Sequence, residues 1–379
     1  MPYFFMTNSL YIHIPFCRRK CLYCDFYSAI YEKGLAESYV DVLSKQLDGL
    51  AGPYSTIYIG GGTPSALDKS LLEKLFKSLK RFTPAIQEFT IEANPDSLDE
   101  ANIQLFLDSG VNRLSIGVQS ARDDKLKKLG RLHDWRKARE SVALAAKKGF
   151  KNISIDMIFG VWGETPDGWE KELEEAVRLP ITHVSCYSLT YEKGTPLYEA
   201  IRNGSVQPIE DDVAATMYEM AIDELSLRGF KQYEVSSFSK PGYECRHNLN
   251  YWDNGQYAGL GASAVSYIDG VRSKFIQDTA EYVRRFEAGK PLIESSEKLS
   301  PEKRAKETAA VKVRTKDGID FSWFREKTGF DFLKLEKKAV ADLLEKDLIK
   351  YKKTENEPSG IVLKRKGFLF CDTVSSALL

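Results

Sequence analysis

SLYIHIPFCRRKCLYCDF, residues 9–26, sets a short run of β-branched and aromatic residues directly before three cysteines, Cys17, Cys21 and Cys24. The run reads as a β-strand and the cysteines as the loop that follows it. Only three other cysteines occur in the chain, Cys186, Cys245 and Cys371. So local a cluster does not make a disulfide scaffold; it points to metal or redox chemistry. Soft thiolates select zinc, copper(I) or iron–sulfur clusters. Structural zinc takes four protein ligands, so a zinc reading needs a fourth from His13 or the distant Cys245. A [4Fe–4S] cluster can be held by three cysteines, leaving its fourth iron open for a ligand. Cys186 and Cys371 read as small buried hydrophobes.

Working outward, the strand type recurs in STIYIGGG, EFTIEANP, RLSIGVQS, NISIDMIFG and HVSCYSLT. Amphipathic stretches at 69–80, 99–109, 134–148 and 165–178 lie between them, the last opening on Thr165 and Pro166. Thr followed by Pro is a helix start, and the alternation is that of βα units on a parallel sheet. Polar and glycine residues collect at the strand ends, at 60–63, Glu92, Gln119 and Asp156. In such folds that edge gathers the ligand-binding loops. A helix over 211–228 leads to FKQYEVSSFS, expected to be one further strand. Residues 241–270, rich in Gly, Asn and aromatics, read as irregular structure. Helices at 279–289, 301–312 and 331–346 and short strands near 349–351 and 361–363 predict a small C-terminal α+β domain. The expected boundaries are 1–275 and 276–379.

The 379 residues carry 54 Lys+Arg against 54 Asp+Glu. Zero formal charge gives no global attraction to nucleic acid or to an anionic membrane. No apolar run reaches the roughly 20 residues of a spanning helix, and the start, MPYFFMTNSLYIHIPFC, lacks the marks of an export signal. The expected location is the cytoplasm.

C-x-x-x-C-x-x-C after a first strand, with the glycine-rich IYIGGGTPS, resembles the radical S-adenosylmethionine (SAM) enzymes. The resemblance implies a partial, open (β/α)6 TIM-like barrel, a [4Fe–4S] cluster on Cys17, Cys21 and Cys24, and SAM on its open iron. LYIHIPFCRRKCLYCDF, GGGTPS, IEANPDSL, RLSIGVQS, GRLHD and SIDMIFGVWGET are similar, in order, to blocks of the oxygen-independent coproporphyrinogen oxidase (HemN) group and its relatives. By that resemblance Tyr11 packs on the cluster or SAM, and Gly61, Gly62, Thr63, Glu92, Gln119, Arg131 and Asp156 line one or more SAM sites.

The oxidases place a further cysteine two residues after the third; here that position is Phe26. A C-x-x-C-D-F ending resembles the HemW haem chaperones instead, and so does a start almost directly at the first strand. RHNLNYW, residues 246–252, is similar to the H-N-x-x-Y-W haem-binding element of that group, with His247, Asn248, Tyr251 and Trp252 in the matching places. Imidazole is a common axial ligand of haem iron, and aromatic rings pack on porphyrin faces. The resemblance therefore implies haem as cargo, its delivery to haem proteins such as membrane-bound respiratory enzymes, and a homodimer. It leaves open whether SAM is cleaved. The rival it implies is an oxygen-independent coproporphyrinogen III oxidase.

Overall fold

The structure is a computed structural model that describes residues 8–354 and 357–379; the first residues of the start read above lie outside these. Strand β1 (Ser9–Ile14) runs into the two-residue β2 (Phe16–Cys17), which pairs in parallel with β3 (Ala29–Ile30) across the cysteine loop. Next come α1 (Lys33–Asp48), β4 (Thr56–Gly61), α2 (Lys69–Leu79), β5 (Glu88–Ala93), α3 (Glu100–Asp108) and β6 (Arg113–Gln119). Then α4 (Asp123–Leu129), α5 (Trp135–Lys148), β7 (Asn152–Phe159), α6 (Pro166–Val177) and β8 (His183–Ser188) complete the repeating part.

Strands β1, β4, β5, β6, β7 and β8 are neighbours in that order, and all are parallel. This is the six-unit α/β sheet of a partial barrel that the sequence predicts, and its C-terminal strand ends share one edge. The helices form for the reasons read from the sequence. In α2, Leu71, Leu72, Leu75, Phe76 and Leu79 make one buried stripe. At α6, Thr165 caps the backbone N–H of Gly168 and Pro166 takes the first turn.

Two expectations are corrected on the far side of the sheet. After α7 (Pro196–Arg202) and α8 (Asp211–Leu227), FKQYEVSSFS forms two short strands, β9 (Lys231–Gln232) and β10 (Ser237–Ser239), and not one. Strand β10 lies antiparallel on β8. The segment expected to be irregular contains α9 (Arg246–Trp252) and a seventh parallel strand, β11 (Ala258–Leu260), which pairs with the free edge of β1, Leu10 opposite Ala258. Glycine hides this strand. A Cβ on Gly259 would lie 2.0 Å from the Val265 carbonyl oxygen, so the close backbone approach removes the side chain that would have shown the period.

Strands β12 (Val265–Ile268) and β13 (Val271–Phe275) form a hairpin that β14 (Ile293–Lys298) extends. That sheet crosses the expected boundary at 275/276. Between its strands, α10 (Thr279–Glu287) packs on α1, where Tyr282 Oη donates to Gln46 Oε1 at 2.6 Å. The chain continues through α11 (Pro301–Lys312), β15 (Ile319–Asp320), α12 (Phe321–Thr328), α13 (Phe332–Leu335), α14 (Lys337–Glu345), β16 (Ile349–Thr354), β17 (Glu357–Leu363), α15 (Arg365–Leu369) and α16 (Cys371–Ala377). Its buried Phe324, Val340, Ile361 and Val374 continue the core of the sheet. Among the described residues no helix is long and apolar enough to cross a membrane.

Candidate functional site

The cysteine loop leaves β1 and closes over the C-terminal strand ends, beside a cavity of about 410 Å³. Cys17, Cys21 and Cys24 line it, together with Gly61, Gly62 and Thr63 from the end of β4. Glu92 reaches it from β5, Gln119 from β6, Asp156 from β7, and Arg131 from the turn after α4. Of the residues expected at the cluster and SAM, only Tyr11 lies outside the lining. It packs inside the sheet against Tyr58, ring centroids 6.2 Å apart, and its Oη donates to His13 Nδ1 at 2.9 Å.

Local constraints set this geometry. Gly61 adopts φ +116, which glycine tolerates and L side chains do not. A Cβ on Gly62 would lie 2.8 Å from the Phe16 carbonyl oxygen and 3.0 Å from Cys17 Sγ, so any side chain there would push the cysteine loop away. The register of β6 and β7 shifts between Gly117 and Gln119, and Gln119 takes φ +69. This bulge re-aims a strand-end side chain toward the cavity. Asn94, to which the sequence assigned no role, joins the two walls. Its amide donates to Thr63 Oγ1 at 2.9 Å and accepts from Arg131 Nη2 at 2.6 Å. Thr63 Oγ1 in turn lies 3.4 Å from Cys17 Sγ, and Arg131 Nη1 3.4 Å from Cys21 Sγ.

The donor set fits a cluster better than a zinc ion. Among the described residues no group of three His, Cys, Asp or Glu side chains converges as on one metal ion. Neither fourth zinc ligand considered above is available. His13 Nε2 donates to the Tyr27 carbonyl at 3.1 Å while its Nδ1 accepts from Tyr11. Cys245 is fully buried and directs its thiol at Glu88. Burial raises the Cys17 thiol and pushes Cys24 up to about 11, so a metal that binds them displaces their protons. On the opposite wall burial pushes Glu92 up to about 7 and Asp156 up to about 6. Glu92 accepts from Tyr58 Oη at 2.7 Å and from the Gly61 N–H at 3.0 Å. Two acids poised near neutrality thus face one cavity, as at sites that bind polar ligands.

The 246–252 element is elsewhere. His247 is 0% exposed and sits beneath the N-terminal strand ends. Thr56 Oγ1 donates to Ser9 Oγ and so accepts from His247 Nδ1–H at 2.8 Å; His247 Nε2 accepts from Tyr251 Oη at 2.8 Å. Burial, with the nearby Arg113 guanidinium, holds the imidazole neutral, its pKa pushed down to about 3. Glu88 accepts the backbone N–H groups of Arg246 and His247 at 3.0 Å each. Asn248, Tyr251 and Trp252 are half-buried around it. As folded, His247 has no free nitrogen for iron, and none of the four residues lines the cysteine cavity. In this arrangement an axial role for His247 requires Thr56 or Tyr251 to give up its bond to the ring. The sequence shows imidazole and aromatics together but not that they satisfy one another.

The Radical SAM superfamily model matches residues 11–176. The "Heme chaperone HemW" of Lactococcus lactis is 35% identical over 364 residues, 95% of this chain and 94% of that protein. The "Heme chaperone HemW" of Bacillus subtilis is 35% identical over 381 residues, 98% and 99% of the two chains. Among solved structures, coproporphyrinogen III oxidase (HemN) from Escherichia coli superposes with a TM-score of 0.84 at 20% identity, covering 100% of this chain and 91% of that one. That last likeness is one of fold.

Proposed function

The chain belongs to the HemW family of the radical SAM superfamily, and from that premise we propose that it is a haem chaperone, which binds haem and passes it to recipient haem proteins. Membership of the superfamily implies a [4Fe–4S] cluster and SAM. In this reading Cys17, Cys21 and Cys24 hold the cluster, and Gly61, Gly62, Thr63, Glu92, Gln119, Arg131 and Asp156 hold SAM. When bound, the pair supplies an open iron and an electron for cleavage of the sulfonium. The chain's own residues supply placement. The strand-end glycines admit a ligand to the backbone, Glu92 as a carboxylate accepts hydroxyl protons, and Asn94 fixes Arg131 beside the thiol wall.

One observation carries the chaperone reading over the oxidase reading. The position that holds a further cysteine in the oxidases is Phe26, which stands 68% exposed at the cavity mouth. It adds an apolar surface where the oxidases add a thiol.

The test is anaerobic reconstitution of the full chain with iron and sulfide, followed in parallel by haem titration and by a coproporphyrinogen III turnover assay. A Soret band with coproporphyrinogen left intact supports the proposal. Conversion to protoporphyrinogen IX, with SAM and a reductant, replaces it by the oxidase reading.

A further inference from the structure

Asn94 stands directly before a short 3-10 turn, Pro95–Ser97, where an asparagine side chain ordinarily caps the turn. It makes no capping hydrogen bond there. Its backbone is held without one: the N–H donates to Ser65 Oγ at 3.3 Å, and the carbonyl accepts from the Ser97 N–H and hydroxyl at 3.0 Å each. The side chain therefore has no local duty, and it lines the cysteine cavity instead. Gly117 on the neighbouring β6 leaves room for it; a Cβ there would lie 2.9 Å from Asn94 Oδ1 and 3.3 Å from Arg131 Nη2.

The sense of each hydrogen bond around this amide follows from a guanidinium, which can only donate. Arg131 Nη2 donates to Asn94 Oδ1 at 2.6 Å and to the Gly117 carbonyl at 2.7 Å. That assigns the amide, so Nδ2 donates to Thr63 Oγ1 at 2.9 Å. With its oxygen accepting from Asn94, the Thr63 hydroxyl keeps its hydrogen for Cys17 Sγ, 3.4 Å away. Arg131 Nη1 donates in the same way to Cys21 Sγ, also at 3.4 Å. One amide thus orders two donors onto two of the three thiols. A thiolate that ligates iron accepts and does not donate, so both donors match metal-bound sulfur. Hydrogen bonds to ligating sulfur favour the oxidation state with more negative charge, the reduced one, and so raise the potential.

We propose that Asn94 is a positioning residue for the [4Fe–4S] cluster: it orients Thr63 and Arg131 as donors to the Cys17 and Cys21 thiolates and thereby holds the cluster's reduction potential up. This rests on the cluster reading above and goes beyond it, since Asn94 itself bonds neither thiol. Asn94→Asp reverses the relay. A carboxylate still accepts from Arg131 but has no hydrogen for Thr63, so it competes for the hydroxyl hydrogen that Cys17 receives.

The test uses the full chain, reconstituted anaerobically with iron and sulfide and without SAM, and reads the cluster's midpoint potential by redox titration with electron paramagnetic resonance. Asn94→Asp and Thr63→Val each lower the potential, by up to about a tenfold shift in the reduction equilibrium, which is about 59 mV for one electron. Asn94→Leu, which adds no charge, lowers it as well. Iron and labile sulfide per chain stay near wild-type values, because the backbone of Asn94 keeps its own partners. In the Thr63→Val background Asn94→Asp produces a smaller shift than it does alone, the non-additivity of two residues in one relay. Equal shifts in the two backgrounds show an effect of charge only and overturn the inference. So does a wild-type potential in both Asn94→Leu and Asn94→Asp. No cluster in the wild type overturns the cluster reading itself, and this inference with it.

Discussion

At the C-terminal ends of the parallel strands polar side chains face a cavity, whereas at the N-terminal ends equally polar side chains face one another. Glu92 and Asp156 at the upper end are raised by burial to about 7 and about 6. At the lower end Glu88 is taken up by the backbone of α9, and both nitrogens of His247 are bonded. Tyr58 touches both systems, its hydroxyl on Glu92 and its ring 5.2 Å from that of His247. The difference separates two uses of buried polarity. Polar groups that bond one another specify a fold, and poised acids that line a cavity are placed to meet a ligand.

The comparison breaks most visibly at Glu88. Glu88→Ala removes the acceptor of two backbone N–H groups and one of the negative charges that offset the buried Arg113, itself 2% exposed. The expected loss is about 2–4 kcal/mol by denaturant titration, because two N–H groups at the start of α9 lose their acceptor and a buried cation loses part of its compensation. The mirror experiment, Cys17→Ala with Cys21→Ala and Cys24→Ala, should abolish bound iron and labile sulfide while the unfolding midpoint stays near that of the wild type without cluster. Equal stability losses at both ends would erase the distinction.

Glu92→Gln sharpens it. SAM affinity, measured by calorimetry on reconstituted protein at pH 8, should fall by about 1–3 kcal/mol if the carboxylate accepts a buried hydrogen bond from the ligand. In wild type that affinity should decline as pH drops through about 7, where Glu92 protonates. Stability responds with the opposite sign at the two ends. Glu92 has a raised folded pKa, so its contribution is present at low pH and is lost as pH rises from its ordinary 4.5 through about 7. His247 has a depressed one, so its contribution is present above its ordinary 6.5 and is lost as pH falls toward about 3. Unfolding midpoints should therefore lose their fall with rising pH between 4.5 and about 7 in Glu92→Gln, and their fall with dropping pH between 6.5 and about 3 in His247→Asn.

Thr56→Val should cost about 1–2 kcal/mol, the penalty of leaving the buried Nδ1–H of His247 without its acceptor. It should not alter SAM binding. Phe26→Cys is the smallest change: stability within about 0.5 kcal/mol at so exposed a position, and no coproporphyrinogen turnover, since placing a substrate for hydrogen abstraction needs more than one side chain. Turnover in that variant would show that the cavity already carries an oxidase's pocket.

The upper end was legible in the sequence because its residues sit at fixed places relative to strands whose period is plain. Cys17, Glu92, Gln119 and Asp156 each follow or close a run of β-branched residues, and topology alone brings such positions to one edge. Asn94 was not legible in that way; it stands in the EANP turn, where capping would explain it equally well. The closure of the lower end is not legible, for a different reason. His247, Tyr251 and Trp252 form a convincing set as residue types, but Thr56, Ser9 and Glu88, which close around the imidazole and its helix, come from strands about 150–240 positions earlier. Strand β11 is hidden by its central Gly259, and with it the fact that β1 is an interior strand of the sheet.

That last pairing governs how the chain is made. Strand β1 and the cysteine loop leave the ribosome before the other strands of the sheet, and β4 can join one side of β1 soon afterwards. The other side stays unpaired until residues 258–260 emerge, on the order of tens of seconds later at about 5–20 residues per second. Through that interval the nascent sheet carries an open edge, the condition that invites wrong pairing or a holdase. The thiols, by contrast, are already outside the tunnel. Metal capture and sheet closure thus run on separate clocks during synthesis, and a stall upstream of β11 should yield a chain that meets iron before its barrel is complete.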